Sequence, residues 1–239
     1  MPDPKVELIE QCMSVGALRF DTLHLNQDGK SIKDATTLII DMDDRISPYF
    51  FNAGLLCTGP ILSIVANAYA DAIATAIGSS TNTLPLFDVL FGPAYKGIPF
   101  AATTAVALQS RHGISVGFAY DRKEVKDHGE GGKVVGISVE QKRVVIIDDV
   151  MTSGKAIRGA IDTVRQNGGE VVGVVQLLDR EEVGQDGVSS TVKEVEGLIG
   201  QGPVNSVLKM GDLMQWLEQK GMQDELKSMQ SYWDRYGLK

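Results

Sequence analysis

The stretch Val144-Val145-Ile146-Ile147-Asp148-Asp149-Val150-Met151-Thr152-Ser153-Gly154-Lys155-Ala156-Ile157-Arg158 decides the fold of this chain. Its first four residues are all β-branched and show no polar alternation, which is typical of a central parallel strand buried on both faces. The residues after Gly154 have the pattern of a helix. The sequence therefore predicts an open α/β sheet in which Asp148 and Asp149 lie at the carboxyl end of a strand, where such sheets bind ligands.

The same stretch combines two acids with a loop that suits an anion. Thr152, Ser153 and Gly154 are small, so their amides can converge on a negative group at the start of a helix. Carboxylates, in contrast, accept hydrogen bonds from hydroxyl groups. A single ligand that carries a phosphate and ribose hydroxyls would satisfy both parts, so the stretch predicts a phosphorylated ribose as the ligand. An ordinary strand followed by an Asp-rich turn is the alternative interpretation.

The composition limits the class of protein. A chain of 239 residues is long enough for one well-buried α/β core with a small appendage. Its net charge of −8 disfavours a nucleic-acid or anionic-membrane surface. Cys12 and Cys57 have no metal-ligand spacing, which favours a reduced, cytoplasmic compartment. The most apolar run, residues 60–77, is interrupted by Asn67 and Asp71, so no membrane span is predicted.

The pattern along the chain predicts a single domain, residues 1–239, in three parts. Residues 1–55 form an N-terminal helix and a small hood, residues 56–208 the α/β core, and residues 209–239 the closing helices. Within the first part, helical spacing extends from Val6 to Leu18. A turn at residues 26–29 predicts a hairpin of residues 22–25 and 36–40. Further helices are predicted at 61–77, 98–111, 156–166, 190–199, 211–220 and 223–236, and further strands at 86–91, 115–120, 171–178 and 204–208.

Other segments at strand ends add candidate site residues. Phe50 and Phe51 follow Pro48, so one ring can pack inward while the other covers a ligand, although two core aromatics are the simpler interpretation. Tyr95 and Lys96 stand in a second loop between a strand and a helix. The segment 121–132 is charged and ends in glycines, so we expect either a mobile solvated loop or a lid that orders on an anion.

Arg180 is the last candidate site residue at a strand end, and it follows a buried strand. An arginine there can bind a carboxylate with two hydrogen bonds, but it could equally be structural.

In this order, from about Arg45 to Arg180, these segments resemble the orotate phosphoribosyltransferases. The central stretch resembles the 5-phosphoribosyl-1-pyrophosphate (PRPP) signature of the type I phosphoribosyltransferases. The resemblance implies their α/β fold, a mostly parallel sheet flanked by helices with an N-terminal hood. It also implies transfer of ribose 5-phosphate from PRPP to orotate, which gives orotidine 5'-monophosphate and pyrophosphate in UMP synthesis.

The resemblance also implies roles for individual residues. The catalytic roles fall to four side chains, Asp148, Asp149, Lys126 and His128. PRPP would contact Tyr95, Lys96, Arg122, Lys123, Lys126, His128, Asp148, Asp149, Val150, Met151, Thr152, Ser153, Gly154, Lys155 and Ala156. Orotate would contact Phe50, Phe51, Thr152 and Arg180. Mg²⁺ is expected to be held by substrate oxygens and water, without a dedicated protein site. A homodimer with shared active sites is the implied assembly.

Three features depart from the family pattern. Met42 stands where a lysine is common, the segment 20–44 is longer than usual, and Lys155 replaces a small hydroxyl residue. A PRPP-binding regulatory protein without catalysis and a transferase for another base therefore remain as alternatives. An intact set of cations in 121–132 favours the enzyme, because a sensor has no need of it.

Overall fold

The predicted central strand is strand β6, Arg143–Val150, in a computed structural model that describes residues 3–20, 47–81, 83–126, 132–184, 189–200 and 202–238. The side chains of β6 alternate between two apolar clusters. Val145 and Ile147 belong to one cluster, whereas Val144 and Ile146 belong to the other. All four are fully buried, so the prediction of a strand covered on both faces is confirmed.

The main sheet has six strands in the order β5-β4-β3-β6-β7-β8. All its neighbouring strands are parallel except the pair β4 and β5, which is antiparallel. Its other strands are β3 (Val89–Gly92), β4 (Gly117–Lys126), β5 (Gly132–Gly136), β7 (Glu170–Asp179) and β8 (Val204–Lys209). The predicted α/β class with a mostly parallel sheet is therefore confirmed.

Helices cover both faces of this sheet. The α-helices are α1 (Pro4–Ser14), α2 (Gly59–Ile77), α3 (Gly97–Ala107), α4 (Lys155–Gln166), α5 (Thr191–Leu198), α6 (Met210–Lys220) and α7 (Gln223–Tyr236). Buried side chains of α1, α2, α3, α6 and α7 belong to the first apolar cluster, and those of α4 and α5 to the second. The closing helices thus share a core with the N-terminal helix.

The order of the strands places a switch point between β3 and β6. The chain proceeds from β3 to β4 in one direction across the sheet, and from β6 through β7 to β8 in the other. The loops after β3 and β6 therefore turn to opposite sides and leave a crevice at their carboxyl ends. Ligands of open α/β sheets bind in such a crevice.

The N-terminal part differs from the prediction at its helix. Helix α1 ends at Ser14, and Leu18 begins strand β1, Leu18–Phe20. Gly16 has a φ of +71°, which reverses the chain before the predicted helix end. Strand β1 pairs with β2, Tyr49–Phe51, in an antiparallel ribbon. The predicted hairpin of residues 22–25 and 36–40, and Met42, lie outside the described residues.

The charged segment after residue 120 also differs from a simple loop. Strand β4 continues to Lys126, and β5 begins at Gly132 and pairs with it. We call these paired residues, 121–126 and 132–134, the arm. Residues 127–131, which include His128, lie outside the described residues, so the predicted lid is described only at its base.

Helix α2 is long and apolar enough to cross a membrane by length and composition alone, with a mean hydropathy of 1.4. The core helix of a soluble protein passes the same test, and α2 contributes Ile61, Val65 and Tyr69 to the first apolar cluster. Only 39% of this helix window is buried within the chain, so α2 also has apolar surface on the outside.

Candidate active site

Two adjacent carboxylates lie at the switch point. Asp148 and Asp149 end the buried part of β6, and they are only 7% and 9% exposed. The backbone N–H of Asp149 donates to Oδ1 of Asp148 over 3.0 Å. The hydroxyl of Tyr69, on α2, donates to the backbone carbonyl of Asp148 over 2.7 Å. These contacts fix the end of the strand, so the acids have a defined position before any ligand arrives.

Burial changes the acidity of Asp148. Removal from water raises the pKa of its carboxyl to about 7, and the neighbouring Asp149 carboxylate acts in the same direction. The N–H of Asp149 and the charge of Lys96 oppose this shift. The ionised form of Asp148 is therefore costly in the fold as it stands.

The loop after β3 supplies a cation to these acids. Lys96 Nζ lies 2.9 Å from Oδ2 of Asp149, although the lysine side chain is 57% exposed. Helix α3 begins so close to the end of β3 that a Cβ on Gly97 would lie 2.7 Å from Cδ of Pro93. This tight turn brings Tyr95 and Lys96 to the edge of the acids, as the sequence predicted.

The loop between β6 and α4 has the form of an anion site. Gly154 has a φ of +69° and caps α4, and a Cβ there would lie 2.8 Å from Cγ2 of Thr191. The Thr191 hydroxyl donates to the backbone carbonyl of Thr152 over 2.9 Å. The N–H of Met151 donates to the buried amide oxygen of Gln176 over 3.1 Å. The first turn of α4 has no acidic residue, so no carboxylate of that turn compensates the positive end of the helix dipole. The free backbone amides at this helix start can therefore bind an anion.

A cavity of about 580 Å³ joins this loop to the arm. It is lined by Asp148 and the loop 150–156 on one side, and by Pro93 and Ala94 on another. Cationic side chains complete the lining, and these are Arg122, Lys123, Lys133 and Lys155. In a chain of net charge −8, such a concentration of cations marks an anion site.

The base of the arm is attached to the loop after β3. The backbone N–H of Ala94, which follows Pro93 and precedes a cis peptide bond to Tyr95, donates to Oδ1 of Asp121 over 2.7 Å. Lys123 Nζ lies 4.6 Å from the centre of the Tyr95 ring. The structure thus brings together the predicted residues Tyr95, Lys96 and Lys123. It describes the strand position of Lys126, whereas His128 lies outside the described residues.

Arg180, one of the predicted base-binding residues, contacts the segment that contains strand β2. Arg180 is 14% exposed, and its Nε donates to Oε1 of Glu182 over 2.8 Å. Its guanidinium also lies 3.3 Å from the Ser47 hydroxyl, 3.4 Å from the Tyr232 hydroxyl and 5.2 Å from the centre of the Tyr49 ring. Arg180 is therefore held in place from three parts of the chain.

Phe50 and Phe51 lie on opposite sides of strand β2, as expected for adjacent residues of a strand. Phe51 packs against the first apolar cluster, whereas Phe50 lies on the other side of β2, with the Arg19 guanidinium 5.5 Å from its centre. Neither ring lines the cavity described above, and neither does Arg180, so this cavity contains Asp148 but none of these three residues. Thr152, which was assigned to both substrates, does line the cavity.

Several residues at the site were absent from the sequence prediction. Tyr69, Lys133, Gln176 and Glu182 belong to no predicted motif, and Asp121 lies in the predicted segment 121–132 without an assigned role, because their roles depend on contacts between distant segments. Only Gln176 had a visible signal, because it is a polar residue inside the apolar run of β7.

Comparison with known proteins places this arrangement in a family. Residues 62–198 match the model of the phosphoribosyl transferase domain. The chain is 48% identical over 194 residues to an orotate phosphoribosyltransferase of Acinetobacter baumannii, covering 81% of this chain and 85% of the relative. It is 42% identical over 233 residues to that of Thioalkalivibrio sulfidiphilus, covering 97% of both. The chain belongs to the orotate phosphoribosyltransferase family.

A solved orotate phosphoribosyltransferase, from Francisella tularensis, has the same fold. Its TM-score is 0.77 at 30% identity, and the match covers 97% of this chain and 100% of that chain. The predicted family, fold and enzyme class are thereby confirmed. The matched phosphoribosyl transferase region begins in α2 and ends at the last residue of α5, so it contains both acids, the phosphate loop and the arm but not the hood.

The raised pKa of Asp148 generates a prediction about stability. Between pH 3.8 and about 7 the folded protein binds this proton more strongly than the unfolded chain does, so the contribution of Asp148 to the free energy of unfolding falls as pH rises through that window. Asp148→Asn retains an oxygen for the Asp149 N–H and removes the charge. We expect it to unfold with a free energy higher than wild type by about 2 kcal/mol near pH 8, and nearly equal near pH 4.

The measurement is urea unfolding at both pH values, with Asp162→Asn as the matched control because Asp162 is exposed on α4. The control should equal wild type at both values. A destabilised Asp148→Asn protein near pH 8 would contradict the cost assigned to the buried charge.

Proposed function

We propose that this enzyme binds PRPP across its cavity and transfers the ribose 5-phosphate to orotate bound beneath the hood. The observation that carries the proposal is one cavity that joins the buried acid Asp148, the neighbour of Asp149, to a glycine-capped helix start and four cationic side chains. A phosphorylated sugar with a diphosphate fits both the acids and the cations.

The two parts of the PRPP molecule have different partners. The amides of Thr152–Ala156 would hold the 5'-phosphate at the start of α4. Asp148 and Asp149 would accept the ribose hydroxyls, and their charge would favour the positive charge that develops at C1 in the transition state. Lys96, now paired with Asp149, would exchange that carboxylate for the diphosphate.

Magnesium fits this arrangement as an ion carried by the substrate. The described residues contain no group of three or more His, Cys, Asp or Glu side chains able to hold a metal. Asp148 and Asp149 could supply oxygen ligands directly or through water, and Mg²⁺ prefers six oxygens, so diphosphate, ribose and water would complete its shell. When bound there, Mg²⁺ would neutralise charge on the leaving diphosphate.

Orotate differs from uracil by a carboxylate, and Arg180 is the cation that we propose to bind this carboxylate. Its guanidinium is positioned by Glu182, Ser47 and Tyr232 at the carboxyl end of β7, next to the hood that carries Phe50 and Phe51. The planar fork of arginine matches a carboxylate in two hydrogen bonds. Arg180 would therefore set the choice of base.

The test of the substrate assignment is orotate consumption with PRPP and Mg²⁺, measured beside uracil. Wild type should consume orotate and leave uracil. Arg180→Ala should raise KM for orotate about tenfold or more and change KM for PRPP much less, because only orotate presents a carboxylate there. Arg143→Ala is the control, since Arg143 lies at the opposite edge of the sheet, at the start of β6. Equal consumption of uracil would contradict the assignment.

We also propose that the enzyme is a homodimer whose arm closes over the partner's site. Three observations support this. Only 39% of the apolar helix α2 is buried within the chain. Val106, on the neighbouring helix α3, is 70% exposed. The arm continues past the strands that pair with β3 as an antiparallel pair. Apolar helix surfaces of this kind are buried in two-fold interfaces.

Mixing two impaired variants tests the shared site. At orotate concentrations well below the wild-type KM, Lys126→Ala and Arg180→Ala proteins are each expected to retain about a tenth of wild-type activity or less. In a dimer with shared sites, each mixed dimer has one site with both residues and one with neither. Random exchange makes about half the dimers mixed, so about a quarter of wild-type activity should return. Confirmed subunit exchange without recovered activity would contradict sharing and leave the substrate assignment intact.

A further inference from the structure

Lys133 lies in the cavity although no motif assigned it a role. It is the second residue of β5, it is half-buried, and its side chain shares the cavity lining with Arg122 and with the loop 150–156. A lysine on an edge strand normally points to solvent and discourages strand pairing. This one instead lines the cavity.

Lys133 and Arg122 are neighbours of like charge. Asp121 pairs with Val134 across the antiparallel strands β4 and β5, and the register shifts between Asp121 and Lys126, so Arg122 and Lys133 flank a regular pair without being paired themselves. Both line the same cavity, and neither forms an ion pair with any residue that the structure describes. Like charges that line one cavity repel each other. An anion placed between them would remove that repulsion and gain two charge-assisted hydrogen bonds.

The position of the arm indicates which part of the substrate this anion is. Asp121 accepts the N–H of Ala94, and Lys123 stacks on Tyr95, so the base of the arm lies against the loop after β3. That loop presents Lys96, the cation proposed for the diphosphate. The 5'-phosphate loop begins at Thr152, after β6, and β3 lies between β6 and the strand β4 that carries the arm.

We propose that Lys133 is a further substrate-binding residue, which together with Arg122 binds the diphosphate group of the phosphoribosyl donor. This inference rests on the proposed function, because it takes the diphosphate to lie between the arm and the loop after β3.

The experiment compares two probes, pyrophosphate and ribose 5-phosphate, by calorimetric titration in the same Mg²⁺ buffer. Lys133→Met should weaken pyrophosphate binding about tenfold and ribose 5-phosphate binding less than about twofold. Lys133→Arg retains the charge and should stay within about twofold of wild type for both. Lys142→Met is the matched control, since Lys142 is exposed ahead of β6 at the opposite edge of the sheet, and it should leave both affinities unchanged.

Three outcomes would overturn the proposal. They are unchanged pyrophosphate binding in Lys133→Met, equal losses for both probes, and an equal loss in Lys142→Met. Thermal unfolding of each variant verifies the fold, and Lys133→Gln replaces the methionine variant if the latter does not fold. Orotate turnover by wild type is measured in parallel. Turnover with unchanged pyrophosphate binding defeats only the role of Lys133, whereas absence of turnover defeats the proposed function itself.

Discussion

The structure depends on holding two adjacent carboxylates almost out of water at the end of its central strand. Asp148 and Asp149 are both at least nine-tenths buried, and removal of such ions from water costs several kcal/mol each unless partners compensate. The compensation is incomplete: Lys96 pairs with Asp149, and although Asp148 accepts the N–H of Asp149, burial still raises the pKa of its carboxyl to about 7. Apolar packing on both faces of β6 stabilises the fold and offsets this cost.

Three cations around the cavity lack partners of opposite charge among the described residues. Arg122, Lys133 and Lys155 line it without an ion pair to any described residue, and Lys155 stands at the positive end of α4. The incompletely compensated carboxylate of Asp148 and these three cations thus line one cavity. A ligand with hydroxyls and phosphates would form hydrogen bonds with the carboxylates and ion pairs with the cations. This gain on binding explains why a site that destabilises the unliganded protein is retained.

The sequence predicted those parts of the site that are local. The β-branched run fixed β6, and the small residues after it fixed the helix start, because each depends on neighbours in the chain. Strand β5 was missed, since its short Gly-rich sequence forms a strand only by pairing with a β4 that extends into charged residues.

Contacts between distant segments were equally invisible. Lys133 gains its role from that strand pairing, and Arg180 is held by Tyr232, which lies 52 residues later in the chain. The predicted end of α1 at Leu18 was wrong because Gly16 takes a left-handed conformation and lets Leu18 pair with Phe51.

The central claim is that the two buried acids act on the ribose, and Asp149→Asn tests it most directly. The substitution keeps the size of the side chain and removes the charge that would favour the transition state. We expect kcat for orotate to fall about 100-fold, by the loss typical of preorganised electrostatic groups, in a protein that unfolds at the wild-type temperature. A folded Asp149→Asn enzyme with kcat within about twofold of wild type would contradict the account.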